Sequence, residues 1–255
     1  MTAGTATNLE KVLLSKAAID AGFDLERPTV GDWACFAVSG QPLVVWLRSA
    51  SDGIALAISD RRVLDELELA ELANLSLPQG AAGARLVDSH QRLMASLARA
   101  RVLDATLPTR LFDRWQARVA ALGNTERDVI AQRRVGQDLF REGLMAYWGG
   151  RCAATGIDIP ELLRASHIKP WRDCNDDERL DIHNGLLLAA HVDALFDAHL
   201  LAFEADGTGI LSTRVSAEQC ATLGFSAGPP RVRGLSPKHL PYLALHRHLL
   251  VEGSR

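Results

Sequence analysis

Ser166-His167-Ile168-Lys169-Pro170-Trp171 is followed by Asn184-Gly185-Leu186-Leu187-Leu188 and then by Asp193-Ala194-Leu195-Phe196-Asp197. Leu163 to Ile168 reads as a strand that Lys169-Pro170-Trp171 terminates, since proline has no N–H to give a ladder. A polar, acidic loop runs from Arg172 to Arg179, and residues 189–198 read as a helix. Asp193 and Asp197 stand four apart on that helix, so both carboxylates project from one face. Like charges at that spacing cost a few tenths of a kcal/mol, and the turn has no Lys or Arg to offset them. A hard divalent cation would relieve the repulsion, because it accepts one or two carboxylates together with waters and phosphate oxygens. Alone, the pair is an acidic helix near whose start the macrodipole favours Asp193. A histidine ending the preceding strand, with an asparagine nine residues before Asp193, turns it into a candidate site.

The ordered set resembles the HNH endonuclease family, in the variant without zinc-binding cysteine pairs. The resemblance covers about residues 137–213, with Gly150-Arg151-Cys152-Ala153-Ala154-Thr155-Gly156 at its entrance and a motif core at 149–213. It implies a ββα-metal fold in which a hairpin and a helix grip one divalent ion. It further implies that His167 is the general base for the attacking water, with a pKa near neutrality that suits the task. Asn184 would hold the hairpin and orient His167 through its side-chain amide. Asp193 and Asp197 would be the metal ligands, and oxygen-only ligands favour Mg²⁺ or Mn²⁺ over Zn²⁺. Many relatives place Asp or His immediately before the base. Ser166 stands there in this chain and, with His191, is an auxiliary candidate. Cys152 occupies the position that opens a zinc knuckle in relatives, but its partner position is Thr155. No structural zinc is expected, and packing by Trp148, Trp171 and Leu186–Leu188 should replace it.

Upstream, residues 125–148 read as one long helix that Thr125 caps with Asp128 three residues on. Arg133, Arg134 and Arg141 on this helix, together with Lys169, are the candidate substrate-binding residues; a solvated helix face is the alternative reading. Downstream, Asp206-Gly207 signals a hairpin, and residues 238–250 a closing helix. His239, His246 and His248 on that helix have no carboxylate nearby, which disfavours a metal reading. Before Gly123, Trp33–Val38, Pro42–Leu47 and Gly53–Ile58 read as short strands, and 61–75 and 86–103 as helical stretches. The expected architecture is α+β: an N-terminal sheet-and-helix domain over 1–122 and an HNH nuclease domain over 123–255. The first would recognise DNA or a modified base. Trp33, Phe36 and Trp46 could stack on a flipped base, although core packing is the better reading of them.

Composition sets the outer bounds. Of 255 residues, 28 are Lys or Arg and 31 Asp or Glu, for a net charge of −3, which is unlike the basic excess usual in nucleic-acid-binding domains. Two ligand carboxylates neutralised by a cation would even out the second half, so DNA binding should depend on metal. The scattered cysteines, the start without a basic leader and the lack of a long apolar run point to a cytoplasmic protein with no membrane partner. The expected activity is restriction- or defence-type cleavage of duplex DNA, and double-strand cuts would call for a homodimer. An inactive HNH scaffold that binds DNA, and a nuclease acting on RNA or structured DNA, are the alternatives.

Overall fold

Small and β-branched residues alternate with large apolar ones through residues 33–58, a pattern that builds a sheet with two packed faces. The computed structural model describes residues 8–72, 75–120, 122–123 and 125–250, which fall into two compact units, 1–105 and 106–255. The first contains α1 (Asn8–Asp20), β1 (Leu25–Val30), β2 (Trp33–Ala37), β3 (Val44–Ala50), β4 (Gly53–Ile58), α2 (Arg61–Asp65), β5 (Ala70–Glu71), β6 (Gly83–Val87) and α3 (His90–Thr106). Its antiparallel sheet has the order β1-β2-β3-β4-β6-β5. In register, Cys35, Trp46, Ala57 and Ala84 share one face, and with Trp33 and Ala55 they form a buried cluster. Phe36, Val45 and Ile58 share the other.

Trp33, Phe36 and Trp46 are 4%, 0% and 5% exposed, so they are core side chains and are not available to a flipped base. Two helical expectations are corrected. The stretch from Arg61 is helical only to Asp65, and Ala70-Glu71 then pairs with β6; residues 73–74 lie outside the described residues. Leu86 and Val87 belong to β6, where they face Ala55 and Ile54 of β4. A leucine-rich segment serves either structure, and here the open edge of β4 decides.

The second unit contains α4 (Pro108–Val119), α5 (Glu126–Tyr147), β7 (Leu163–His167), α6 (Asp176–Arg179), β8 (Gly185–Ala189), α7 (Ala190–Asp197), β9 (Leu201–Phe203), β10 (Gly209–Leu211), α8 (Ala217–Thr222) and α9 (Leu240–Arg247). Helix α5 starts on the expected capping box: Thr125 Oγ1 accepts from the Asp128 amide, and Asp128 accepts from the Thr125 amide. Helix α4 packs on α5, where Glu142 is held by Arg114 and Arg118. The compact units divide at 105/106, before α4, whereas the sequence reading divides the chain at 122/123.

Strands β7 and β8 pair antiparallel with His167 opposite Gly185, and α7 follows β8 directly. This is a ββα arrangement. Helix α5 lies against the hairpin so closely that a Cβ on Gly185 would come within 2.5 Å of Phe140 Cζ and 2.9 Å of Leu144 Cδ1. The Cys152 sulfur accepts from the amides of Thr155 (3.3 Å) and Ala189 (3.1 Å). It thereby ties the 149–156 turn to the end of β8. Sequence reasoning assigned that tie to packing alone.

Candidate active site

His167 ends β7 and is held on two sides. Its ring stacks on Phe140 of α5 at 3.7 Å between centroids and 17° between planes, and meets Trp171 edge-on at 5.2 Å. Its Nε2 lies 3.0 Å from the Arg179 carbonyl oxygen. A carbonyl can only accept, so Nε2 carries the proton and Nδ1 keeps its lone pair. Burial pushes the imidazole down to about 4, with the carbonyl contact acting weakly the other way. The ring is therefore neutral at physiological pH, with Nδ1 free of a proton.

Asn184 is fully buried beneath this strand end. Its Oδ1 accepts from the Lys169 amide at 2.8 Å, and its Nδ2 donates to the Glu178 carbonyl at 3.0 Å and to Cys174 Sγ at 3.2 Å. The amide thus braces the 169–178 loop against the hairpin. It makes no bond to the His167 ring, which corrects the expected direct contact: Arg179 O holds the ring. Asp181 braces the same region. Burial favours its neutral form, but hydrogen bonds from His183 and Tyr242 outweigh it and keep the carboxyl below the usual range.

His167, Ser166, Asp193 and Asp197 line one open pocket of about 490 Å³, with Arg133, Arg164, His199 and His246 among the other walls. Ser166 donates its hydroxyl to Asp193 Oδ1. Burial, and then the Asp193 charge, push the Asp197 carboxyl upward, with His199 opposing. The repulsion read from the i,i+4 spacing is thus present at the site. Among the described residues no three His, Cys, Asp or Glu side chains come together as a metal cage. Asp193 and Asp197 are the carboxylates that this pocket offers to a hard cation, which otherwise takes waters and substrate oxygens.

The other sequence candidates divide. Arg133 lines the pocket, whereas the exposed Arg134 is not among its walls. Arg141 is committed to main-chain carbonyls, donating to Leu163 at 2.8 Å and Pro160 at 2.9 Å. Lys169 is ion-paired with Glu178 at 2.6 Å. His191 rests near the Phe225 ring, outside the pocket.

Several pocket residues carried no usable sequence signal. His199 has a left-handed backbone, φ 53°, at the end of α7 where glycine is usual. His246 comes from α9, stacks on Phe196 at 3.8 Å, and places Nε2 3.1 Å from the Phe196 carbonyl and 3.2 Å from His199 Nδ1. Burial, together with neighbouring His199, pushes His246 down to about 4. Its triplet with His239 and His248 had been disfavoured for want of a carboxylate, yet the fold brings it to the pocket of Asp193 and Asp197.

The half-buried His167 thus shares a pocket with a carboxylate pair on a ββα frame. Residues 152–204 match the family described as HNH endonuclease, a segment that lies within the second unit. No curated protein matches the chain. Among the described residues, no helix is long and apolar enough to cross a membrane.

Proposed function

We propose that the protein is a divalent-metal-dependent endonuclease acting on DNA, with His167 as general base. The observation that carries this reading is the Arg179 carbonyl on His167 Nε2, which leaves Nδ1 as the proton-accepting nitrogen of a residue that lines the same pocket as Asp193 and Asp197. Nδ1 takes a proton from a water as its oxygen bonds to phosphorus and the P–O3′ bond breaks. Asp193 and Asp197 would hold the cation, which when bound supplies Lewis-acid stabilisation of the charge that builds on the phosphate. Arg133, on the pocket wall, would meet phosphate oxygens, whereas Arg164 is engaged by the Glu161 and Leu163 carbonyls; Asn184 acts by holding the loop that carries Lys169. Arg141, Lys169 and Arg134 are set aside as substrate contacts.

A restriction- or defence-type role in the cytoplasm is part of the same reading, with residues 1–105 selecting the substrate. Support for that selection role is confined to the unit's separate fold, because its tryptophans are internal and Arg61 and Arg62 are ion-paired with Asp65 and Asp60. Concerted double-strand cutting would require two copies of the site. A second reading, a nucleic-acid-binding scaffold without activity, draws on Ser166, whose hydroxyl occupies Asp193 where relatives offer a ligand.

Plasmid nicking in Mg²⁺ or Mn²⁺ tests the proposal. His167→Ala should reduce the rate by about 10²- to 10⁴-fold, as loss of a general base does, and EDTA should stop it. Equal nicking by wild type and variant would remove His167 from the role, and no metal-dependent nicking by wild type would favour the inactive scaffold.

A further inference from the structure

A second cavity, of about 370 Å³, opens beside the first and shares Arg133 and Trp171 with it. Its size is at the low end of the ~300–1,000 Å³ typical of ligand pockets. Phe112 and Trp115 of α4 form one wall, as a stacked pair 5.7 Å apart, and Trp171 forms another. Gly136 of α5 lets these rings approach: a Cβ there would stand 3.0 Å from Trp171 and 3.7 Å from Trp115 Nε1. The indole N–H of Trp115 donates to the Gln132 carbonyl at 3.2 Å, which fixes the ring plane. The Arg179 guanidinium lies 5.5 Å from the Trp171 ring centre, is ion-paired with Asp176 at 2.7 Å, and both side chains line the cavity. Val129, on the rim, is 56% exposed.

We propose that this cavity receives an unpaired nucleobase of the substrate strand, next to the phosphate held at the His167 pocket. Aromatic rings and a guanidinium around a slot of this size are what unstacked bases bind, whatever their identity. Continuity with the catalytic pocket through Arg133 selects a nucleobase over an unrelated aromatic ligand, since one arginine can meet the backbone while the adjoining base enters the slot. The inference rests on the nuclease reading for its substrate, and it deepens that reading: the substrate has, or acquires, an unpaired base at the cut.

The test compares a fluorescent single-stranded oligonucleotide with the same backbone bearing abasic sites. Each is titrated with the full-length protein in Ca²⁺, a hard cation that takes oxygen ligands as Mg²⁺ does. Wild type should prefer the base-bearing strand by about tenfold, the size of one base–aromatic stack. Trp115→Leu, which removes a ring, and Val129→Trp, which fills the slot from an exposed position, should both erase that preference. Equal binding of the two strands by wild type, no binding of either, or a preference that survives in both variants would overturn the proposal. Plasmid nicking by the same wild-type preparation separates the two readings. Nicking without base preference removes the slot and leaves the nuclease, whereas base preference without nicking does the reverse.

Discussion

At the scale of the residue, the low pKa of His167 has two consequences of opposite value. A base already neutral well below pH 6.5 should keep nicking active into mild acid, with the acid limb of the rate profile falling towards pH 4–5 at saturating metal. A limb centred near 6.5 would mean that the ring is solvated in the working enzyme. The stability effect follows from linkage. His167 and His246 both sit near 4 in the fold but near 6.5 when unfolded. The unfolded chain therefore binds more protons between those values, and acid favours it. Melting temperature should fall as pH drops from about 6.5 towards 4, and His246→Phe should flatten part of that slope. Asp197 behaves oppositely, since burial and Asp193 penalise its charge. Asp197→Asn should raise the melting temperature in EDTA at pH 7 while abolishing Mg²⁺-dependent nicking; a destabilised variant would show that the carboxylate is structurally engaged.

At the scale of the element, the hairpin and α5 form one device. Gly185 permits Phe140 to reach β8, and Phe140 is the platform on which His167 lies. Gly185→Ala would place a methyl group about 2.5 Å from the Phe140 ring, forcing the ring off His167. The expected outcome is a loss of stability of about 1–3 kcal/mol, typical of overpacking, with a further fall in nicking rate. Phe140→Leu in the same background should restore stability before it restores rate. An undisturbed wild-type rate in Gly185→Ala would separate the platform from the chemistry. These dependencies explain what could be read in advance. The Asp193–Asp197 face and the Thr125 cap were legible because each is a spacing within one element, whereas the ββα order came from the family resemblance of the ordered motifs. Arg179, His199 and His246 were not, because a main-chain carbonyl has no sequence signature and His246 meets its partners across a distance of about fifty residues. The arginines of α5 could not be told apart for the same reason: Arg133 and Arg141 look alike in sequence, but the first lines the pocket and the second serves main-chain carbonyls.

At the scale of the whole molecule, the two compact units predict separable unfolding. Urea denaturation followed by tryptophan fluorescence and by far-ultraviolet circular dichroism should give non-coincident transitions, and a single shared transition would make the boundary one of shape only. The placement of α4 was the least legible part of the fold. Residues 108–119 carry an amphipathic pattern that suits either unit, and what assigns them is Glu142, whose carboxylate gathers Arg114 and Arg118 from across the gap.

The Arg179 carbonyl has a consequence for how this site can change over time. In many enzymes the group that orients a catalytic histidine is a carboxylate side chain, which a single codon change can delete. Here the orienting atom is main chain and is supplied by whatever residue occupies position 179. Arg179→Ala should leave the tautomer of His167 intact while stripping the cation from the neighbouring slot. The orientation of the His167 ring is thus buffered against mutational drift, and the surface beside it is free to diversify.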